Sequence, residues 1–331
     1  MKFLIAGFGS IGRRHLRNLR ELGEQDILLL RSNRSTLPDD EITGLPVETT
    51  IEAALAHRPD AVIIANPTAL HLDVAVPAAE ASCAILLEKP ISHSLEKLDA
   101  LQQAVERGGA RVLVGFQYRY HPTLIRTAQL LADGVIGQPV AARVQWGEYL
   151  PNWHPWEDYR QGYAARADLG GGVILTLSHP FDYLRMLMGE ASALHCFTAA
   201  RGGLDLPVED TAEIGLQFNS GAVGSVHLDY LQQPPTHTLE IIGSAGTLRW
   251  DNASGALAVY RADAQAWEET APPEGFERNW LFLDEMRNFL SMARGEQKPA
   301  CSLQDGIRAL EIAVRARESA ADGQRKDLLQ G

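Results

Sequence analysis

A chain of 331 residues is longer than one hydrophobic core usually supports, which points to two domains, and 45% hydrophobic with 22% charged residues is the balance of a folded protein. The formal net charge of −12 repels polyanions and leaves no basic stripe for nucleic acid, so any phosphate must be held by a local site. Cys83, Cys196 and Cys301 are widely spaced without C-x-x-C pairing, which argues against a disulfide framework or a zinc site. No apolar run reaches membrane-spanning length, and the start leaves no room for a signal peptide, so a cytoplasmic protein without a membrane partner is expected.

The first part of the chain alternates short apolar runs with amphipathic stretches. Residues 2–6 are a strand run; 11–22 carry Ile11, Leu16, Leu19 and Leu22 at helical spacing and stop at Gly23. A second strand is expected at 26–30. The continuous apolar runs at 61–65 and 84–87 suit a parallel sheet covered on both faces, with a helix over 70–81 between them. Ser94 can cap a helix through Leu95, Leu98, Leu101 and Val105, which Gly108 and Gly109 end before a strand at 111–114. This βαβ array predicts an α/β Rossmann domain, a doubly wound parallel sheet, over residues 1–120. Beyond about residue 120 the period changes to two: Ala142, Val144, Trp146; Ile214, Leu216, Phe218; and Val226, Leu228, Tyr230 each alternate with polar neighbours. Residues 121–331 are therefore read as an α+β domain with an open, largely antiparallel sheet, closed by helices at 281–292 and 303–321.

Gly7-Phe8-Gly9-Ser10-Ile11-Gly12 is a G-x-G-x-x-G pattern between the first strand and the first helix. There the first glycine permits a tight bend, the second lets the backbone of Gly9, Ser10 and Ile11 approach a pyrophosphate, and the third packs helix on strand. The helix N-terminus attracts the anion. A glycine turn without a ligand is the plain alternative, which the strand-turn-helix setting disfavours. An NAD site would carry Asp or Glu about 20 residues further on. Here the chain reads Leu30-Arg31-Ser32-Asn33-Arg34. The guanidinium groups of Arg31 and Arg34 with the Ser32 hydroxyl suit a 2′-phosphate, so NADP is expected ahead of NAD; a solvated basic loop is the alternative. Asn66, Pro67, Thr68 and His71 follow the strand at 61–65, and Glu88-Lys89-Pro90 ends the next, both at the carboxyl edge where ligands of such sheets bind. A lysine directly after a buried run is unusual, because burial disfavours its charge; its ammonium reaching out to solvent is the alternative.

These residues resemble the Gfo/Idh/MocA oxidoreductases over nearly the whole chain. The likeness rests on the glycine motif, Pro67-Thr68-x-x-His71, Glu88-Lys89-Pro90, Gly115-Phe116-Gln117-Tyr118-Arg119-Tyr120-His121-Pro122 and Gly170-Gly171-Gly172, in the family's order and spacing. It implies that Lys89 is the catalytic acid or base beside the nicotinamide, that Pro90 follows a cis peptide, and that Gln117 belongs to the cofactor site. It also implies a sugar, inositol or nucleotide-sugar substrate and a homodimer or homotetramer built through the open sheet. One segment departs from the family, which carries an Asp after the three glycines, a His four residues later and a further Asp. This chain keeps His179 and Asp182, but Thr176 stands at the first Asp and the interval is one residue short. A hydroxyl is no carboxylate base at neutral pH, so catalysis is expected from Lys89 and His179, unless His179 is a hydrogen-bonded core histidine.

Thr176, His179, Asp182 and Arg119 are assigned to the substrate, together with Trp153, Tyr159, Tyr163 and Arg166. Aromatic faces among polar donors suit a pyranose ring, and arginines suit an acidic group on it; a packed loop or a subunit contact is the alternative. The reaction expected is NADP-dependent hydride transfer to or from a secondary alcohol or ketone of a sugar, inositol, sugar acid or nucleotide sugar. Two other readings stay open: NADPH-dependent reduction of an imine, enone or dihydrodiol-type substrate, and a non-catalytic NADP(H)-binding regulator. No metal is expected, since no His, Cys and carboxylate set has ligand spacing.

Overall fold

The computed structural model describes residues 1–32 and 40–328, which divide into two compact units. The first comprises Met1–Gln117 with Glu277–Ile307, the second Tyr118–Phe276 with the chain from Arg308 onward.

In chain order the first unit contains β1 (Phe3–Ala6), α1 (Ser10–Glu21), β2 (Ile27–Leu30), β3 (Val47–Glu48), α2 (Ile51–Ala56), β4 (Ala61–Ile64), α3 (His71–Glu80), β5 (Ala84–Glu88), α4 (Leu98–Gly108) and β6 (Val112–Gly115). The strands are parallel in the order β3-β2-β1-β4-β5-β6. Every residue of β1, β2, β4, β5 and β6 is buried, which is why these segments read as unbroken apolar runs. The order reverses between β1 and β4, and a sheet of this kind binds ligands at the carboxyl ends of the strands flanking that point. The helix expected from Ser94 starts later, at Leu98, behind Lys97 in the left-handed region. The Ser94 hydroxyl accepts instead from the Glu96 amide at 3.3 Å, a local turn that competes with capping.

The second unit contains α5 (Pro122–Ala132), β7 (Pro139–Gly147), α6 (Val173–Thr176), α7 (His179–Met188), β8 (Ala191–Ala199), β9 (Thr211–Phe218), β10 (Val223–Asp229), β11 (Thr236–Gly243), β12 (Gly246–Asp251), β13 (Leu257–Arg261) and β14 (Ala266–Thr270). Then α8 (Arg278–Ala293) returns to the first unit and buries Leu281, Phe282, Met286 and Phe289 beside α1, β5 and β6. The chain ends with α9 (Leu303–Asp322) and β15 (Lys326–Asp327). The nine-stranded sheet runs β14-β13-β12-β11-β7-β10-β9-β8-β15, with β7 and β10 parallel and the other pairs antiparallel. Its inner face carries Ala142, Val144, Trp146, Ile214, Val226, Leu239 and Trp250, all buried. The outer face carries Arg143, Gln145, Glu213, Gln217 and Ser225, so the predicted alternation is present. Among the described residues no helix is long and apolar enough to cross a membrane.

Candidate active site

The glycine turn joins β1 to α1 at the point where the strand order reverses. Gly7 has φ +93°, and a Cβ there would lie 2.4 Å from the Asn66 amide nitrogen; one on Gly12 would lie 2.2 Å from the Gly7 carbonyl oxygen. Neither position admits a side chain, because β1, β4 and α1 meet there backbone to backbone. At Gly9, by contrast, a Cβ would meet nothing within 4 Å. Gly9 is the N-cap of α1 and brings no capping side chain, and the first turn holds no acidic residue. Open backbone at Gly9, with the first amides of Ser10 and Ile11 behind it, fits a pyrophosphate. Arg31 is buried just after β2, its amide donating to Glu48 O at 3.0 Å, and Ser32 is exposed; Arg34 lies outside the described residues. Arg13, which has no motif to single it out, is also buried here, with its guanidinium 4.5 Å above the Phe8 ring and 3.5 Å from Glu41.

The loops after β4 and β5 are tied together by one side chain. The buried His71 ring places Nδ1 2.9 Å from Pro90 O and Nε2 2.9 Å from Asn66 O, and burial pushes its pKa below the usual histidine value. The Asn66 side-chain amide donates to Leu70 O at 3.1 Å, and Thr68 is buried beside Pro67 in a short turn. His71 thus binds the turn that carries Lys89 and Pro90 to the turn that carries Asn66. The Lys89–Pro90 peptide is cis. Glu88 is committed on both oxygens: Oε1 lies 2.7 Å from His15 Nε2, and Oε2 accepts from the Lys89 amide at 3.3 Å. Gln117 is buried in the short turn after β6.

In the second unit the segment after Gly170-Gly171-Gly172 is broken into two helices. α6 ends at Thr176, Leu177 leaves the helical path, Ser178 is the N-cap of α7, which starts at His179, and Pro180 lies in its first turn. Thr176 and His179 therefore belong to different helices and do not share a continuous helical face. Thr176 is buried beside the Tyr230 phenol, which donates to Ala164 O at 3.2 Å. His179 is buried against the edge of the Tyr118 ring, with centroids 4.9 Å apart, and lies 5.6 Å from Trp146. Asp182, one helical turn on, accepts two hydrogen bonds from Arg119, at 2.8 Å from Nε and 2.6 Å from Nη2. The fold thus brings Arg119, His179 and Asp182 to one place. It adds Trp146, His237 and Trp250, which period-two strands conceal as ordinary inward-facing residues. His237 stacks on Trp146 at 4.2 Å and lies 3.1 Å from the Tyr183 hydroxyl. The remaining substrate candidates lie in the connection between β7 and α6. Trp153 packs edge-on to Tyr230, Tyr159 donates to Leu204 O at 3.0 Å, Tyr163 is partly exposed, and Arg166 pairs with Asp168 at the surface.

A six-stranded parallel sheet of this order, with a glycine turn at its switch point and an α/β unit beside it in sequence, marks the class of two-unit dinucleotide-binding proteins. The chain belongs to the Gfo/Idh/MocA oxidoreductase family. The family's NAD-binding Rossmann fold matches residues 1–116, and its C-terminal alpha/beta domain matches residues 128–328. An uncharacterized oxidoreductase, YrbE of Bacillus subtilis, is 28% identical, covering 96% of this chain and 94% of its own. Myo-inositol 2-dehydrogenase of Thermotoga maritima is 25% identical over 96% of both chains. The structure of a levoglucosan dehydrogenase in complex with NADH superposes with a TM-score of 0.87 at 22% identity, covering 100% of this chain and 99% of that one.

Proposed function

We propose that the protein is an NADP-dependent dehydrogenase that moves a hydride between the nicotinamide and a secondary alcohol or ketone of a sugar, inositol, sugar acid or nucleotide sugar. The observation that carries this reading is Lys89, placed directly after a fully buried strand on the same carboxyl edge as the glycine turn, with its backbone held by Glu88. When bound, the nicotinamide supplies the hydride acceptor or donor. Lys89 exchanges the hydroxyl proton, and His179 supplies a second hydrogen-bonding group for the reaction. Relatives that act on polyols, to judge by the names inositol dehydrogenase and levoglucosan dehydrogenase, support the substrate class. Preference for NADP rests on Arg31, Ser32 and Arg34, and on the absence of a carboxylate at residues 31–34, directly after β2. A homodimer or homotetramer through the outer face of the nine-stranded sheet accounts for Phe197 and Val223, large apolar side chains left exposed on strands of that sheet.

The test is a screen of sugars, inositols, sugar acids and nucleotide sugars for a change in nicotinamide absorbance with NADP and with NAD. With a confirmed substrate, Lys89→Ala should keep its affinity for NADPH and lose turnover by about 10²-fold or more, the usual contribution of a general acid or base. Wild-type turnover in that variant would make Lys89 structural. Equal affinity for NADPH and NADH would remove the cofactor assignment. Tight NADPH binding with no absorbance change under any compound would favour a regulator.

A further inference from the structure

Beneath the Lys89 turn three side chains from distant parts of the sequence meet in the interior of the first unit: His15 from α1, Glu88 from the end of β5 and Glu285 from α8. One ligand-type atom from each lies within 4.8 Å of the other two. Glu285 is 0% exposed, His15 0% and Glu88 7%. Both Glu285 carboxylate oxygens are buried without a hydrogen-bond partner. An ionised carboxylate in that state is too costly to persist, since burial of an unpaired charge drives the group to its neutral form. The titratable groups beside it are Glu88 on β5 and His15 on α1, and Arg14 on α1 feels the charges of Glu88 and Arg278. Arg14 stacks 4.3 Å above Phe282 of α8 and is drawn toward Glu88. The first residues to consider as partners for Glu285, Glu88 and His15, are already joined to each other at 2.7 Å.

We infer that Glu285 is a neutral carboxylic acid that shares its proton with Glu88, so that His15, Glu88 and Glu285 form a proton-holding triad that positions the Lys89 turn. A bound cation fits less well, because His15 Nε2 carries the proton it donates to Glu88 and in that tautomer offers no lone pair to a metal. Burial and the neighbouring Glu88 both push the Glu285 pKa well above the carboxylate range, in agreement with the neutral form. The triad has a mechanical consequence. Glu88 receives His15 on one oxygen and the Lys89 amide on the other, and Gly115 of β6 backs it so closely that a Cβ there would come within 3.2 Å. With the Glu285 proton in place, the Glu88 carboxylate has a donor on every side and cannot swing. It then links the helix of the glycine turn, the strand of Lys89 and α8, which is also tied to α1 by Asn279 donating to Asn18 at 3.1 Å.

The positioning role rests on the proposed function of Lys89; the proton itself does not, and the experiment separates the two. In infrared difference spectra of the substrate-free protein, wild type minus Glu285→Gln, the C=O band of a protonated carboxyl group should appear at neutral pH. Glu285→Gln, an isostere of the acid, should fold at least as well as wild type at pH 7. A group whose folded pKa is raised stabilises the native state fully only below its unfolded pKa, here the ordinary carboxylate value, and loses that contribution as pH rises toward the folded pKa. The folding equilibrium of wild type relative to Glu285→Gln should therefore fall by up to tenfold per pH unit above that value. Glu285→Leu keeps the volume but removes the donor. It should lose about tenfold or more in turnover, since a 1 Å misplacement costs on the order of 10²-fold, while Glu285→Gln stays near wild type. Absence of the carboxyl band, a Glu285→Gln variant less stable than wild type with the same pH slope, or one equivalent of metal in the purified protein would each overturn the triad. If the band is present but Glu285→Leu turns over normally, the positioning role fails and the proton assignment stands.

Discussion

The six-stranded sheet of the first unit is sealed on both faces, whereas the nine-stranded sheet of the second keeps an outer face uncovered by its own unit, mostly polar but with Phe197 and Val223 exposed on it. The consequence is a different way of placing chemistry. In the first unit the strand interiors are apolar throughout, so the candidate site residues appear only where strands end: Gly7, Asn66, Glu88 and Lys89 all sit at carboxyl termini or just beyond. In the second unit every strand has an inside and an outside. The inner face itself carries Trp146, His237 and Trp250, which meet Tyr118 and the helix of His179. The outer face holds charges that serve no core, with Arg249 on Glu240 at 2.7 Å and His227 between Glu213 and Asp229.

The largest effect separating the two faces should come from the Arg119–Asp182 pair. Arg119→Met removes two hydrogen bonds from a carboxylate whose side chain is 2% exposed, and loss of one partner of a buried pair costs about 3–5 kcal/mol. Urea unfolding should show that loss and a partial recovery in Arg119→Met/Asp182→Leu. A single variant within about 1 kcal/mol of wild type would mean that the pair is solvated.

Next in size is a contrast within the glycine turn. Gly12→Ala drives a methyl group into the Gly7 carbonyl and should destabilise by about 1–3 kcal/mol, as overpacking does. Gly9→Ala meets open space and should fold within about 0.5 kcal/mol of wild type, yet bind NADPH more weakly in a fluorescence titration. If both variants bind and fold alike, the turn is not a dinucleotide site.

The smallest effect belongs to the outer face. His227 lies 3.0 Å from Asp229 and is also bonded to Glu213; Asp229 above all, then Glu213, raise its pKa to about 9 against partial burial. The raised value means that its stabilisation is complete below the unfolded pKa of 6.5 and is lost as pH rises through about 9. Because the side chain is 30% exposed, the contribution is below about 1 kcal/mol. Thermal melts of wild type and His227→Gln should converge as pH rises from 6.5 to 9. A gap that widens over that range would reverse the assignment.

Local sequence was enough wherever structure depends on neighbours in the chain. Unbroken apolar runs specify strands buried on both faces, period two specifies the half-covered sheet, and the glycine spacing marks the turn because each glycine answers a contact within one strand-turn-helix unit. The same logic placed Glu88-Lys89-Pro90 at a strand end. It failed at Ser94, where a side-chain turn and a helix cap look alike until packing selects one, and it gave no sign at Thr176 that the helix breaks before His179. Tertiary structure alone decided the rest. Nothing local in 278–293 says that α8 leaves the second unit to pack on α1, β5 and β6, because its apolar pattern fits any covered sheet. For the same reason Glu285 reads as one more polar helix residue. Only the fold brings it to His15 and Glu88, 270 and 197 positions away in sequence, since the energy of a buried carboxyl group depends on what surrounds it in space.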